Sequence, residues 1–325
     1  MKSFILLIFS FFLAACFMNR KEIILPGRIA IESQRNICFI YENSDLKFSF
    51  KIRNEDKINY SGFRWLNSSN GFLGIESFRT TETGINKSNV VRFDQSGNIV
   101  ETIFESQNGE ITGNTYLSKN DKFLLFTSEK KQDITLNPLE GLARMQSVII
   151  MDFDKRKIIQ KIDSIGTTPN FELHESPWLF DGIRFIYSIS GENKIITEGV
   201  ILNPIQEVPG IYVCDVTSNQ KKLLVPNARY GVCSPLESCI SYIKDQSVCI
   251  LNLKDSTTKV LYKGGENEKI GNIHWTPDGK YVYFVYFRNH SIGSFESGEK
   301  LIKISTGKEI PFKKIGQGFE SYTWK

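Results

Sequence analysis

Histidine is scarce in this chain: 325 residues hold three. So few cannot build a His-rich metal cluster. Cysteine is limited to six, and no Cys-x-x-Cys pair occurs, so neither a zinc ribbon nor a thioredoxin-type site is supported. Charge of one sign is not in excess. Forty Lys and Arg against 36 Asp and Glu leave +4, or +3 if residues 1–15 are removed with Lys2. A dedicated nucleic-acid binder carries a basic surplus, so no nucleic-acid partner is expected. The catalytic patterns G-x-S-x-G and H-E-x-x-H are missing. Asp and Glu fall mainly in turns, where they bond the backbone, and no carboxylate pair stands out. Long helical periods are absent, as is the strand–helix alternation of a parallel α/β fold. No cofactor is implied.

What is present begins at the N-terminus. Met1-Lys2-Ser3 is a short positive start, and Phe4–Leu13 is a ten-residue apolar run. A spanning helix needs ~20 apolar residues. The order of charge, apolar run and small residues is that of a secretory signal. Leu13-Ala14-Ala15-Cys16 resembles the bacterial lipobox. That resemblance implies cleavage before Cys16, diacylglycerol on its sulfur and a further acyl chain on its amine. Two or three chains at ~0.8 kcal/mol per buried CH₂ hold a domain firmly on a bilayer. Phe17 is not the Asp linked to inner-membrane retention in enterobacteria, so the resemblance leans to the outer membrane. A plain cleaved signal with an incidental Cys16 is the alternative. The expected division is a signal peptide over 1–15, a lipidated tether over 16–23 and one domain over 24–325.

Acylation of Cys16 would leave Cys38, Cys214, Cys233, Cys239 and Cys249. Secretion permits disulfides. Cys233 and Cys239 flank a five-residue turn and form the best candidate pair. The other three sit inside apolar strand-like runs, where a small buried side chain is the better reading.

Aromatic residues make up 12% of the chain, with 24 Phe and 12 Tyr, which favours β structure. A repeat runs through residues 24–325. Ile273-His274-Trp275 enters the turn Thr276-Pro277-Asp278-Gly279 and returns as Tyr281-Val282-Tyr283-Phe284. Pro fixes φ, Asp bonds the turn and Gly supplies positive φ. Lys300–Ile304, a Ser-Thr-Gly-Lys turn and Glu309-Ile310 make a second hairpin. That turn lacks the upstream glycines of a phosphate loop. Two hairpins give a unit of strands a to d. The same grammar recurs from Gly62, Asn114, Glu172 and Tyr230, giving five complete units of roughly 40–60 residues. A sixth is split. Arg28–Glu32, Ile37–Tyr41 and Leu46–Ile52 read as strands b, c and d, while Phe319–Trp324 reads as a lone strand a. Joining them closes a ring and removes exposed sheet edges. The expected fold is all-β, a six-bladed β-propeller of four-stranded antiparallel blades closed by terminal strand pairing. Five or seven blades, or two tandem β-sandwiches, are the alternatives.

The stretch from Trp275 to Phe284 resembles the repeat of TolB-type propellers and of the propeller domains of prolyl-oligopeptidase-like peptidases. The resemblance covers nearly all of residues 24–325 at the level of fold. It is strong in the last blade and weak near Ser234–Ser238, where Asp-Gly is lost. Neither the extra α/β domain of TolB nor a hydrolase domain is found.

The connections b–c at Arg79–Asn89, Lys130–Gln146, Ser190–Pro209 and Arg288–Glu299 are long. Elaboration on one rim points to a binding face. Asn137-Pro138 and Asn203-Pro204 read as short helical turns there, Asn capping and Pro at the first position. His174 and His274 occupy corresponding points of strand a, with Trp275 beside the second, and could face the channel. Two imidazoles there could bind a metal or act as acid and base; structural histidines are the simpler reading. The expectation is a membrane-anchored lipoprotein of the cell envelope, non-enzymatic, binding a protein, peptide or glycan at the b–c rim or channel. A scaffold in envelope assembly is a related option. The alternative is a metal-dependent propeller enzyme of lyase or lactonase type.

Overall fold

Phe123-Leu124-Leu125-Phe126 and Val148-Ile149-Ile150-Met151 are apolar at every position, not at every second one. The reason is that both faces of each sheet are buried. Leu124, Phe126, Ile149 and Met151 pack against the preceding sheet, and Phe123, Leu125, Val148 and Ile150 against the following one. Strand side chains alternate between faces, so a strand sandwiched on both sides must be apolar throughout.

The computed structural model describes all residues except 1–21, 33–36, 52–56, 68–70, 81–83, 137–138, 167–170, 190–194, 198–199, 203–207, 292–293, 314–320 and 325. In chain order the strands are β1 Arg28–Glu32, β2 Ile37–Glu42, β3 Asp45–Lys51, β4 Ile58–Trp65, β5 Phe72–Thr80, β6 Gly84–Phe93 and β7 Ile99–Phe104. There follow β8 Glu110–Leu117, β9 Phe123–Leu136, β10 Leu139–Asp152, β11 Lys157–Gly166, β12 Phe171–Glu172, β13 Arg184–Ile189, β14 Ile195–Thr197, β15 Val200–Leu202, β16 Gly210–Asp215 and β17 Lys221–Pro226. The last are β18 Arg229–Cys233, β19 Cys239–Lys244, β20 Ser247–Asn252, β21 Thr258–Lys263, β22 Glu268–Trp275, β23 Tyr281–Ser291, β24 Ser294–Lys303, β25 Lys308–Glu309 and β26 Ser321–Trp324. No helix occurs among the described residues.

These strands form six four-stranded antiparallel blades in a ring, a β-propeller. Blade 1 has the order β26-β1-β2-β3, and blades 2 to 6 follow in chain order. Six separate apolar clusters fill the six gaps between neighbouring blades. The expected closure is present: Ile29 pairs with Trp324 and Ile31 with Tyr322. By register Trp324 takes the place that Trp65 has opposite Phe72 and Trp275 opposite Val282. The pairing gives the inner edge of β1 a partner and so hides it.

A second device locks neighbouring blades. Trp178 Nε1 of blade 4 donates to the Tyr116 carbonyl of blade 3 at 3.0 Å. Trp275 Nε1 of blade 6 donates to the Val232 carbonyl of blade 5 at 3.2 Å and to Ser241 Oγ at 2.8 Å. Cys233 Sγ of blade 5 donates to the Pro177 carbonyl of blade 4 at 3.2 Å. The three donors occupy one register position in strand a. Each reaches the preceding blade's strand a, satisfying a polar atom that burial would otherwise strand.

The long b–c connections differ from the expected loops. β9 and β10 continue as one ribbon to the pair Leu136 and Leu139. β5 and β6 pair out to Thr80 and Gly84, β23 and β24 to Ser291 and Ser294, and β14 and β15 form their own two-stranded ribbon. Backbone pairing continues where the side chains turn polar. Asn137, Pro138, Asn203 and Pro204 lie outside the described residues, so the expected helical turns there have no structural counterpart to compare.

Candidate functional site

Strand a is the innermost strand of each blade and is bulged against strand b in four blades, as strand d is bulged against strand c in blades 1 to 5. In blades 2, 3, 5 and 6 one extra residue is inserted, between Ser61 and Arg64, Thr112 and Thr115, Arg229 and Val232, and Gly271 and His274. Gly62, Tyr230 and Asn272 take the left-handed conformation there, at φ +66°, +54° and +49°. Glycine adopts it freely, whereas Tyr and Asn need surroundings that hold them. A bulge re-aims the side chain that follows. In blades 2 and 6 that residue is Arg64 or His274, each followed by a buried Trp.

Blade 4 departs further. Glu172 pairs with Ser188, and the next bridge joins Trp178 to Phe185, so strand a carries three residues too many. Leu173–Ser176 therefore swings out of the ladder, which resumes where the Pro177 carbonyl accepts from the Ile186 amide. Ser176, at φ +49°, marks the bend. This excursion carries His174 and Glu175 inward.

Arg64, Glu175 and His274 meet at the end of the channel where the a–b turns lie. A cavity of about 290 Å³ opens there, with lining from blades 2 to 6. Arg64 and Glu175 form its polar floor, with the guanidinium donating to Glu175 Oε1 at 2.6 Å. Arg64 also donates to the Phe63 carbonyl at 2.9 Å, and its Cζ lies 5.2 Å from the centre of the Tyr116 ring. Trp65, Trp178 and Trp275, three of the four tryptophans, contribute to the walls. At the mouth Lys119 Nζ sits 3.8 Å from the Phe180 ring centre and donates to the Pro235 carbonyl. Phe180 is about half exposed, at 49%.

Burial dominates the electrostatics. It pushes the Glu175 carboxyl up, against the pull of Arg64. It pushes the Tyr116 phenol up to about 12. It holds His274 well below the usual imidazole range, helped by the charge of Arg64. His274 is therefore neutral at physiological pH.

Of the residues singled out in the sequence, His274 and Trp275 line the cavity. His174 stands apart. Its ring lies tilted against Tyr230 with centres 4.3 Å apart, and its Nε2 lies 3.3 Å from Glu172 Oε2. Among the described residues no group of three or more His, Cys, Asp and Glu is placed to hold a metal ion. Cys16 lies outside the described residues.

The Cys233–Cys239 disulfide is not formed; both thiols are free. Register is the reason. Cys233 pairs with Ile240, so the adjacent Cys239 points to the opposite face of the blade. Cys233 packs between blades 4 and 5, and Cys239 between blades 5 and 6. Burial holds the Cys233 thiol well above its usual range, which keeps it protonated as a donor to Pro177.

Arg64 and Glu175 escaped the reading of the sequence. A signal for Arg64 existed: Arg64-Trp65 repeats His274-Trp275 at the same register. A larger groove, about 650 Å³, lies on the outer wall between blades 4 and 5. It is the wedge left as two blades fan apart, lined by strand residues such as Val213, Leu251 and Val260. The groove also carries Arg184, Lys222, Lys244 and Asp245, but the smaller cavity is the better candidate because it sets a buried ion pair among aromatic walls at the channel mouth.

No protein-family model matches this sequence, and no curated protein matches it. Solved structures do. An oligogalacturonate lyase in complex with manganese is 10% identical, with 88% of this chain and 73% of that chain covered and a TM-score of 0.50. A protein assigned as TolB from Agrobacterium tumefaciens is 12% identical, with 87% of each chain covered and a TM-score of 0.50. A puromycin-hydrolysing peptidase of Mycobacterium tuberculosis is 10% identical, with 90% of this chain and 45% of that chain covered and a TM-score of 0.53. At such identities the likeness is one of fold.

Proposed function

We propose that this chain is a lipid-anchored, non-enzymatic binding module of the bacterial cell envelope, receiving a segment of a protein or peptide partner at the a–b mouth of its channel. The observation that carries this reading is the cavity itself. It joins aromatic walls, a half-exposed Phe180 and a buried Arg64–Glu175 pair in one concave site. A recognition pocket combines an apolar surface with a few placed polar groups in this way. Catalysis would call for a nucleophile beside a base, or a set of metal ligands. The lining instead offers a neutral His274 next to an obligate cation.

The lipobox resemblance at Cys16 supports the anchor and the envelope location. Metabolic labelling with palmitate tests it: the native chain should take up label, and Cys16→Ser should lose both label and membrane retention. The site is tested by photo-crosslinking in cells. A benzophenone side chain at Phe180 should give a discrete protein adduct, while one at Val260 in the outer groove should not. Adducts from Val260 alone would overturn the placement.

A further inference from the structure

We propose that the channel-mouth cavity recognises the C-terminal carboxylate of a peptide ending in an apolar residue, which takes the place of Glu175 on Arg64. This deepens the binding reading above and rests on it. The first argument is charge. The ionisable residues lining the cavity include two cations, Arg64 and Lys119, and one carboxylate, Glu175, with His274 neutral. Guanidinium cannot give up its proton inside a protein, so Arg64 requires an anion or equivalent acceptors whatever occupies the site. A ligand carrying a carboxylate keeps that requirement met after Glu175 leaves. An uncharged ligand offers only neutral acceptors, which make weaker bonds to a guanidinium.

The second argument is mechanical. Arg64 projects from a paired strand, is tied to the Phe63 carbonyl and lies against Tyr116. Glu175 comes from the Leu173–Ser176 excursion, outside the ladder and next to the bend at Ser176. The backbone beside Glu175 is anchored, with the Ser176 carbonyl accepting from the Cys233 amide at 2.9 Å, so the exchange needs only rotation of the Glu175 side chain, the less tethered of the two. The exchange breaks one charge-assisted pair and forms another of the same kind, with no covalent step.

The third argument is size and lining. A cavity of about 290 Å³ sits at the lower limit of small-ligand sites, ~300–1,000 Å³, which suits one terminal residue. Indole walls and Phe180 suit an apolar side chain beside the carboxylate. Lys119 stands at the mouth and adds attraction for the approaching anion.

The test uses indole fluorescence, because three of the four tryptophans line the cavity. The intact protein is titrated with N-acetyl-phenylalanine, its amide, and the α-amide of N-acetyl-aspartate, whose one acid is in the side chain. The terminal acid should bind at least about ten-fold more tightly than the amide, the worth of one charge-assisted hydrogen bond. Glu175→Gln should tighten the acid alone, because nothing charged has to be displaced. The pair Arg64→Gln with Glu175→Gln removes both charges together, which protects folding, and should erase the difference between acid and amide. Equal binding of acid and amide by the native protein overturns the carboxylate claim while leaving a peptide site standing. Preference for the side-chain acid overturns the C-terminal assignment. Failure of every probe to bind overturns both the inference and the placement of the site.

Discussion

Arg64 of blade 2 and Glu175 of blade 4 meet across the channel at 2.6 Å, spanning the intervening blade 3. Their side chains are 10% and 19% exposed. Removing one partner of a buried pair costs about 3–5 kcal/mol, because the other is left charged in a poor solvent. The two losses are not equivalent. Glu175, whose carboxyl burial already pushes up, can take a proton when Arg64 is gone. Arg64 has no such escape. Glu175→Leu should therefore be the more damaging single change, and Arg64→Met with Glu175→Leu should fall within about 1 kcal/mol of the native protein. Urea denaturation of the three variants checks this order. The sign with pH is fixed as well. A carboxyl raised in the fold contributes stability that is full below its unfolded value and lost as pH rises through the folded one. Arg64→Met should lose stability as pH rises above the ordinary Glu range, about 4.3, relative to the double variant.

Ring closure depends on four residues at the C-terminal end, Ser321–Trp324. Deleting 321–325 would leave blade 1 with three strands and the inner edge of β1 open. An open edge pairs with whatever strand it meets. The truncated chain should melt earlier and less cooperatively, and elute as oligomers in size exclusion. A monomer with an unchanged melting temperature would show that closure contributes nothing.

The blades were legible in the sequence because turn chemistry is local. Thr276-Pro277-Asp278-Gly279 specifies its turn without help from distant residues. Closure was legible too, since a lone aromatic strand at one end and a three-stranded blade at the other complete each other. The site was only half legible. His274 drew attention by its rarity, whereas Arg64 holds the same register position among 40 Lys and Arg. Glu175 depends on how many residues of strand a go unpaired, and no local pattern counts them. The Cys233–Cys239 pairing failed for a related reason. Spacing along the chain brings two thiols near, but register decides which face each one takes.

Free thiols make a measurable difference. Reducing agent should leave the melting temperature unchanged, and alkylation after unfolding should modify Cys233 and Cys239 without prior reduction. Cys233→Ala should cost about 1–3 kcal/mol, because it deletes packing and a donor to the Pro177 carbonyl together. A mobility shift on reduction would overturn the register argument.

His274 carries the sharpest contrast with a metal-dependent lyase or lactonase. A cation entering beside it would meet Arg64, whose charge already helps to hold the imidazole neutral. Dialysis against a chelator should leave thermal stability as it was, and added manganese or zinc should not raise it. A melting temperature that falls on chelation and recovers with one metal would favour the enzyme reading over the binding module.

The c–d turns supply the opposite pH dependence from Glu175. Asp94 accepts from the Ser96 and Asn98 amides at 2.8 and 2.9 Å, and Asp215 from Thr217 and Ser218 at 2.8 and 2.9 Å. Asp255 accepts from the Thr257 amide at 2.9 Å and its hydroxyl at 2.7 Å. Each carboxyl is held below its usual range, chiefly by the side chain of Asn98, Thr217 or Thr257. A lowered carboxylate contributes stability that is present above its unfolded value and lost as pH falls through the folded one. Replacing all three by Asn should make the loss of stability on acidification from about pH 5 to about pH 3 shallower than in the native protein. The effect should be small per turn, because these groups face water. Parallel stability curves for the two proteins across that range would mean that the turns hold their geometry without drawing on the carboxylate charge.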